Sequence, residues 1–320
     1  MREDALKAER GELSLRYVRC QQQRMEGVLF AAFGDRDIRE IDYAAMDELR
    51  TDLFRRGLSN STIRLHFASL NKVIAYAQRV GVIACPPVKP RVKQIDNARG
   101  YFELKEYQQL RRACRNLLGT SHSITQVNDG AKAAGQALRR VTITEDVLYL
   151  IPFMVYSFIR PTDLKNIQHK HVEVRRGEHG DYLYLPIPTS KKHDKPITSM
   201  PRAAWAYQCL LAYQRQRGYG DDTDFLFLPE HPNRTTAYRT LTRQFDVVLN
   251  DTLLRVGKDG SQRTLYSLRH TAIMYRLMFG GDINLLTLAR NARTSVAMIE
   301  RFYASQLEAG HVISQLHQRR

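Results

Sequence analysis

Residues 288–305 have the sequence LARNARTSVAMIERFYAS, in which a helical run is followed at once by a tyrosine. Val296, Ile299 and Phe302 recur at steps of three, which is the apolar face of a short helix. A lone tyrosine at the end of such a helix, here Tyr303, is ordinarily an interior aromatic residue. Whether Tyr303 has a chemical role therefore depends on the polar residues that the rest of the chain supplies.

The chain has 320 residues, of which 43% are hydrophobic, and this size and composition predict two domains with filled cores. No apolar run has the length of a membrane span or the arrangement of a signal peptide, so we expect a soluble protein that stays inside the cell and contacts no membrane. The four cysteines form no C-x-x-C pair, and they are Cys20, Cys85, Cys114 and Cys209. We expect reduced thiols, no metal site and no cofactor.

The charge of the chain is strongly positive. Lys and Arg together number 49 against 33 Asp and Glu, which gives a formal net charge of +16 and an isoelectric point near 9.8. The basic residues are spread along the chain rather than confined to a tail, which favours nucleic acid as a partner. A basic protein whose lysines are merely solvated has the same composition, so charge alone does not decide the function.

Residues 42–81 predict two helices joined at RRGLSN, where Gly57 ends the first helix and Ser59 or Ser61 begins the second. Apolar residues in the second helix recur at alternating steps of four and three, which predicts one buried stripe: Ile63, Phe67, Leu70, Ile74 and Ala77. Basic residues fall outside this stripe: Arg64, His66, Lys72 and Arg79. They form either a solvated face or a face that contacts phosphates, and in the second case we expect Arg64 and Lys72 to contact DNA.

A proline-rich basic stretch follows the second helix. Between Arg79 and Arg99 there are three prolines and five basic residues against one aspartate, which predicts an extended, positively charged linker. We therefore predict a chain in three parts: a helical domain at 1–90 that is expected to bind nucleic acid, a linker at 91–100, and a second domain at 101–320 that ends in a C-terminal tail. Arg91 and Lys93 in the linker are candidate DNA contacts. The polar stretch at 118–140 predicts a surface insertion.

Strand patterns appear in the second domain between residues 172 and 201. The segments VEVRR, DYLYLPIP and PITSMP are separated by the turn segments GEHG and TSKKHDK, which predicts a small antiparallel sheet. Helical patterns flank this sheet, among them FELKEYQQLRRACRNLL before it and AAWAYQCLLAYQRQRG after it. The predicted fold class is mainly α with a small antiparallel β-sheet (α+β).

Four segments that are far apart in the chain contribute five charged or potentially reactive residues. They are, in chain order, Arg160 in YSFIRPTDLKNI, Lys191 and Lys192 on a turn of the sheet, Arg269 in LYSLRHT, and Tyr303. This order resembles the tyrosine recombinase (phage integrase) family, and the resemblance covers most of the chain. Asp163 matches the acidic residue that follows the family's first catalytic arginine by three positions. The segment LSNSTIRLHFASLNKVIAYAQRVGVI also resembles the family's helical core-binding domain.

The resemblance implies cleavage of DNA without metal or ATP. Arg160 and Arg269 would form a clamp of two planar guanidiniums that offsets the charge on the phosphoryl oxygens. Tyr303, whose hydroxyl has a reference pKa of about 10, would be activated by neighbouring cations and attack the phosphorus. The products are a 3′-phosphotyrosyl link and a free 5′-hydroxyl. Lys191 maps to the family's hairpin lysine, which protonates the departing oxygen, and Lys192 is the alternative.

The chain departs from the family pattern at two positions. Tyr266 stands where many members have a histidine, and a tyrosine can donate a hydrogen bond but does not exchange a proton near neutral pH as imidazole does. His270, next to Arg269, is either a supporting or a catalytic residue. At the family's His/Trp position, counting back from the nucleophile indicates Thr294, whereas equating LARN with the usual LGH indicates Asn291; either donates one hydrogen bond.

The function expected from the resemblance is that of a site-specific DNA recombinase or integrase, encoded by a mobile genetic element (a phage, an integrative element or a transposon) or belonging to a host chromosome-maintenance system. Its expected partner is double-stranded DNA with a specific recombination site, bound by a dimer at each site and a tetramer in the synapse. We expect the protein to be encoded by a bacterium or a phage. We expect it in the cytoplasm, associated with the nucleoid. Two alternatives are strand relaxation like that of a type IB topoisomerase and a DNA-binding regulator whose cleavage is impaired.

Overall fold

The computed structural model describes six stretches of the chain: residues 2–94, 100–124, 139–186, 195–258, 260–281 and 283–303. Within them, the side chains of Arg2, Arg139 and Tyr303 are also left out of the description. The chain divides into two compact units, residues 1–96 and residues 97–320. The predicted linker contains this point of division, and what each unit binds stays a prediction.

The first unit is helical. Its helices are α1 (Arg2–Glu9), α2 (Leu15–Arg24), α3 (Phe30–Phe33), α4 (Tyr43–Arg55) and α5 (Asn60–Arg79), with a π-helical stretch, Met25–Leu29, between α2 and α3. The side chain of Asp42 caps α4, and that of Ser59 caps α5 by accepting a hydrogen bond from the backbone N–H of Thr62 at 3.2 Å. Gly57 between the two helices has φ +76, a conformation that favours glycine. The predicted pair of helices is confirmed, and Ser59 rather than Ser61 begins the second.

The predicted apolar stripe of α5 packs in the core of this unit against the buried face of α4. Ile63, Phe67, Leu70 and Ile74 are buried together with Met46, Leu49 and Leu53. His66 corrects the prediction, which places it outside the buried stripe: only 6% of it is exposed, and burial lowers the pKa of its imidazole. It lies beside the stripe, where helical spacing alone does not separate a buried edge from an exposed one.

Residues 91–94 form neither a helix nor a strand. Side chains of α4 and α5 form hydrogen bonds with the backbone carbonyls of these residues. Arg50 donates a hydrogen bond to the carbonyl of Arg91 at 3.2 Å, and the amide of Asn60 donates to the carbonyl of Lys93 at 2.8 Å. The first half of the predicted linker is therefore attached to α4 and α5 through its backbone.

The second unit consists of helices around two small sheets. Its helices are α6 (Leu104–Asn116), α7 (Glu145–Ser157), α8 (Pro201–Gln216), α9 (Arg234–Asp251), α10 (Leu265–Phe279), α11 (Leu285–Asn291) and α12 (Val296–Tyr303). Its strands are β1 (Ser121–Ile124), β2 (Arg139–Thr142), β3 (Glu173–Gly177), β4 (Gly180–Leu185) and β5 (Ile197–Thr198). The predicted fold class, mainly α with a small antiparallel sheet, is confirmed.

The predicted antiparallel sheet is present in the order β3-β4-β5. β3 and β4 form a hairpin in which Gly177 pairs with Gly180, and β5 pairs with the end of β4 so that Leu185 lies opposite Ile197. Leu183, Leu185 and Ile197 are fully buried, which anchors one face of the sheet on the core. Residues 187–194, most of the segment between β4 and β5, lie outside the described residues.

A second antiparallel pair, β1 with β2, lies in the stretch that was predicted as a surface insertion. Its strands SHSI and RRVT contain few apolar residues, so the alternation that identifies a strand is weak there. Backbone hydrogen bonds close its base, since Gly119 N–H donates to the carbonyl of Ile143 and Ile143 N–H donates to that of Thr120. Residues 125–138, between the two strands, lie outside the described residues.

The core of the second unit is centred on α7, which packs against α8 and α10. α7 is apolar on nearly all sides, as expected of a central helix. α10 begins at Leu265, so the motif LYSLRHT occupies its first two turns. Among the described residues, no helix combines the length and the apolar character needed to cross a membrane.

Candidate functional site

Arg269 lies in the second turn of α10, and 2% of it is exposed. Its Nη1 donates to the carbonyl of Phe158, and its Nη2 donates to the carbonyl of Ala292. Phe158 ends α7 in the left-handed conformation, with φ +58, which turns its carbonyl away from the helix. One buried guanidinium therefore connects α10, the end of α7 and the segment between α11 and α12.

Arg160 follows α7 by three residues and is half-buried. Its Nη2 donates to the carbonyl of Arg293, the residue next to Ala292. The two arginines predicted as a clamp are thus brought together on consecutive carbonyls, although 109 positions separate them in the sequence (269 minus 160). Because a guanidinium has five N–H groups, each arginine has donors beyond those that bind these carbonyls.

The segment between α11 and α12, residues 292–295, is the joint at which these contacts meet. The backbone N–H of Thr294 donates to the carbonyl of Ala289 at 2.9 Å, which closes the end of α11. Arg293 has φ +51 and is the one residue with positive φ among the described residues 283–303. A residue in that conformation just after a helix is usually glycine.

Thr294 and Asn291, the two candidates for the His/Trp position, lie on either side of Arg293 in the sequence, and Thr294 directly follows this left-handed residue. Asn291 uses its amide elsewhere: Oδ1 accepts from the backbone N–H of Thr198, and Nδ2 donates to the carbonyl of Thr198, each at 2.8 Å. Asn291 therefore connects α11 with β5.

Tyr266 and His270 are one helical turn apart on α10, and their ring centroids are 5.1 Å apart at an interplanar angle of 51°. Tyr266 is half-buried, whereas 8% of His270 is exposed. Thr264 caps the helix by accepting from the backbone N–H of Tyr266 at 3.3 Å. Both residues therefore belong to the same end of α10 as Arg269.

The charges near the joint are mostly positive. Asp163 is 6% exposed, and its Oδ2 has no hydrogen-bond partner among the described residues. Burial lowers the pKa of the Arg293 guanidinium, the Asp163 carboxylate raises it, and Arg160 lowers it further. Asp163 is thus a negative charge among the guanidiniums of this site. Among the described residues, no group of three or more His, Cys, Asp and Glu side chains is arranged to hold a metal ion.

The structure does not describe the side chains of three predicted catalytic residues. Lys191 and Lys192 lie outside the described residues, and so does the side chain of Tyr303, although the backbone of Tyr303 ends α12. The C-terminal residues 304–320 also lie outside them. The site that the structure describes therefore consists of Arg160, Arg269 and the residues around them.

The predicted DNA contacts in the first unit lie on or beside α5. Lys72 is not a free lysine: its Nζ binds the Oδ2 of Asp4 at 2.8 Å and lies 5.1 Å from the centre of the Tyr17 ring. Arg64 is exposed and donates to the side chain of Gln94. Arg91 and Lys93 are described above through their backbone carbonyls, and both have exposed side chains.

Sequence reasoning missed Arg293, which contributes both its carbonyl and its side chain to the site. The Nε of Arg293 donates to the carbonyl of Lys195 at 2.6 Å. One signal in the sequence could have identified it. Counting back from Tyr303 without a gap aligns residues 292–294 with the LGH of the family, so Arg293 stands where that motif has glycine. A large charged residue at a glycine position is unexpected unless its side chain has contacts that hold it there.

Comparison with known proteins supports a specific fold. No protein-family model and no curated protein sequence matches the chain. Among solved structures, the Tn1549 transposon integrase in complex with transposon right end DNA matches with a TM-score of 0.67 at 14% identity, over 98% of this chain and 96% of that one. A lambda integrase (75–356) dimer bound to a COC′ core site matches with a TM-score of 0.65 at 13% identity, over 94% and 92%.

A third solved structure agrees with these two. The XerH site-specific recombinase bound to difH substrate, in a pre-cleavage complex, matches with a TM-score of 0.55 at 13% identity, over 88% of this chain and 73% of that one. At such low identities a likeness in structure establishes the fold. The chain has the fold of the tyrosine recombinases, as the order of its motifs predicted.

Proposed function

We propose that the chain is a site-specific DNA recombinase that cuts and rejoins DNA strands through a 3′-phosphotyrosyl intermediate. The observation that carries this proposal is the convergence of Arg160 and Arg269 on the joint that leads into α12, the helix that ends at Tyr303. Two buried or half-buried guanidiniums next to a nucleophile are what metal-free phosphoryl transfer needs, because they offset the charge on the phosphoryl oxygens.

In the proposed reaction, the hydroxyl of Tyr303 loses its proton to solvent, the resulting phenolate oxygen attacks the phosphorus, and the bond between phosphorus and the 5′-oxygen breaks. The departing oxygen takes a proton from Lys191 or, in the alternative, from Lys192. The energy of the broken bond is retained in the phosphotyrosyl link, so a 5′-hydroxyl of another strand can attack it without ATP. The same groups then act in reverse, since the acid of one step is the base of the other.

Tyr266, His270 and Thr294 complete the proposed site as hydrogen-bonding groups. Thr294 is the proposed donor at the His/Trp position, because counting back from Tyr303 indicates it and the amide of Asn291 binds Thr198. Tyr266 has a phenolic donor where many members have imidazole. The small exposed fraction of His270 suits support of Tyr266 through their ring contact.

The proposed partner is double-stranded DNA. The net charge of +16 favours a polyanion, and the three similar proteins were solved bound to a transposon end, a core site and a difH substrate. For this chain we extend the proposal to a dimer on each recombination site and a tetramer in the synapse. Arg64, Lys72, Arg91 and Lys93 are the proposed phosphate contacts of the first unit, and their effect on affinity is expected to depend on salt.

A suicide substrate tests the proposal. A DNA duplex with the candidate site, taken from short inverted repeats that flank the gene, carries a nick beside the scissile phosphate so that the cleaved end diffuses away. The wild-type chain is expected to form a covalent adduct, and Tyr303→Phe is expected to form none while binding DNA with unchanged affinity. Tyr76→Phe, a change at an exposed tyrosine of α5, is the matched control.

Three outcomes would contradict the proposal in different ways. If Tyr303→Phe still forms the adduct, Tyr303 is not the nucleophile. If the wild-type chain binds the site and forms no adduct, the chain is a DNA-binding regulator. If it relaxes supercoiled plasmid and exchanges no strands, its activity is that of a type IB topoisomerase.

A further inference from the structure

Arg293 has an unusual combination of backbone and side-chain environment. Its φ of +51 is a conformation that L-residues other than glycine and asparagine adopt at a cost in free energy. Its side chain is also withdrawn from solvent, since 3% of the residue is exposed. Both features are unfavourable for an isolated arginine, so the surrounding contacts must hold it in place.

The contacts of Arg293 point in two directions. Its carbonyl accepts a hydrogen bond from Arg160, and its Nε donates to the carbonyl of Lys195 at 2.6 Å. Lys195 precedes β5 by two residues and follows Lys192 by three in the sequence. A single residue therefore connects the chain that leads into β5 with the guanidinium of Arg160.

A second contact joins the end of α11 to β5, close to the contact between Arg293 and Lys195. Asn291, at the end of α11, binds both backbone groups of Thr198 in β5. The side chains of Asn291 and Arg293 thus hold β5 and the residues before it at two points, 198 and 195. Such a pair of points fixes the direction of the strand as well as its distance from the joint, whereas one point leaves the strand free to pivot.

We propose that Arg293 is a positioning residue that aligns β5 and Lys195, which follow Lys191 and Lys192 in the sequence, with the helix that ends at Tyr303. This inference rests on the proposed function, because it concerns the same cleavage step. A glycine at position 293 would adopt the backbone without strain, and it would leave Lys195 without this donor. The arginine side chain therefore serves the alignment rather than the turn itself.

The test separates positioning from stability by changing the leaving group of the DNA. Two suicide substrates differ at the scissile bond, one with the natural 5′-oxygen and one with a 5′-sulfur. When the phenolic oxygen attacks, the bond from phosphorus to oxygen or to sulfur breaks. An alkoxide needs a proton to leave, whereas a thiol, with a reference pKa of about 8.5 in cysteine, departs readily as the thiolate. A misplaced acid therefore slows the oxygen substrate more than the sulfur substrate.

Arg293→Gly is expected to bind DNA with unchanged affinity, to cleave the oxygen substrate at least about tenfold more slowly than wild type, and to cleave the sulfur substrate within about threefold of wild type. Arg293→Lys gives a second variant that retains the stem and the charge but lacks the Nε donor, and the same selective loss is expected. Arg290→Ala, a change at an exposed arginine of α11, is the matched control and is expected to cleave both substrates normally.

The inference is overturned if Arg293→Gly and Arg293→Lys cleave the oxygen substrate at the wild-type rate. It is also overturned if both substrates lose the same factor, because a merely structural role would slow them equally. Failure of the proposed function has a different signature, which is the absence of any adduct when the wild-type chain meets either substrate.

Discussion

Arg160 and Arg269 donate hydrogen bonds to the carbonyls of neighbouring residues, Arg293 and Ala292. The two guanidiniums therefore meet at one point of the backbone, immediately before the helix that ends at Tyr303. Both arginines therefore stabilise the fold at this point, besides any contact with DNA. Arg269 is buried and binds two carbonyls, whereas Arg160 is half-buried and binds one among the described residues. This difference allows stability and catalysis to be separated by experiment.

We predict that Arg269→Ala lowers the free energy of unfolding by about 2–5 kcal/mol and Arg160→Ala by about 1–2 kcal/mol, because the first leaves two buried carbonyls without their donor. Both are expected to slow adduct formation by at least about 10²-fold, the usual effect of losing one electrostatic donor. Urea unfolding and single-turnover cleavage measure the two effects, with Arg290→Ala as the control. Equal stability losses would contradict the structural roles, and near-normal cleavage by either variant would remove that arginine from the reaction.

The roles of Thr294 and Asn291 can be separated in the same assays. Thr294→Val removes a hydroxyl at constant shape, so we expect a change in stability of less than about 0.5 kcal/mol and cleavage at least about tenfold slower. Asn291→Ala removes both hydrogen bonds to Thr198 and is expected to lower stability by about 1–2 kcal/mol. Wild-type cleavage by Thr294→Val would exclude Thr294 from the His/Trp position.

Lys72 is expected to bind DNA more strongly once its ion pair is removed. Asp4→Asn neutralises the carboxylate that binds Lys72, and we predict a two- to fivefold tighter complex at low salt, since a partly exposed ion pair of this kind is worth about 1 kcal/mol. Glu9→Gln, an exposed position on the same helix, makes the same change in net charge away from this pair. Equal effects of the two variants, measured by fluorescence anisotropy, would mean that only the net charge matters.

The stability of the second unit is expected to fall as the pH is lowered from 7 to 5. His169 is buried between Tyr207 and Gln214, and burial lowers its pKa even though the hydrogen bond to Gln214 opposes the change. Because the folded pKa lies below the unfolded value of about 6.5, the unfolded chain binds the proton more tightly, and the stability present above that value is lost as the pH falls.

Urea midpoints between pH 7 and pH 5 measure this dependence. His169→Gln is expected to be less stable at pH 7, because it loses a ring that fits its two partners, and to show a smaller decrease on acidification. His179→Gln, in the exposed turn of the β3–β4 hairpin, is the control and should leave the dependence unchanged. A dependence that is undiminished in His169→Gln would assign the effect to other groups.

Adduct formation is expected to persist in EDTA, because the proposed clamp of Arg160 and Arg269 supplies the positive charge that a metal would otherwise provide. Binding should weaken steeply with salt as basic residues release counterions from the DNA. Cleavage of the suicide substrate with and without EDTA, and affinity over a salt series, measure these effects. A strict need for Mg²⁺ in the cleavage step would point to a different mechanism.

Local patterns in the sequence were sufficient for the elements whose structure depends on neighbouring residues. The stripe from Ile63 to Ile74 predicted which face of α5 is buried, and Ser59 was one of the two caps considered for its start. The turn segment GEHG predicted the β3–β4 hairpin, and the order of Arg160, Arg269 and Tyr303 predicted the fold. These features follow from periodicity, capping and turn chemistry, each of which acts within a few residues.

Contacts between distant residues were decided only by the tertiary structure. His66 is buried and Lys72 binds Asp4, although both resemble members of a solvated basic face, because periodicity identifies a buried stripe without naming what covers its edges. The pairing of β1 with β2 likewise joins two strands of weak pattern.

The joint before α12 shows the same limit most clearly. The sequence by itself indicated Thr294 with Asn291 as the alternative, and it contained no sign that Arg293 reaches Lys195. That contact spans 98 residues, and the one between Arg160 and the Arg293 carbonyl spans 133. The sequence specifies an arginine at position 293, but which distant carbonyl its guanidinium binds depends on how the helices and the sheet pack together.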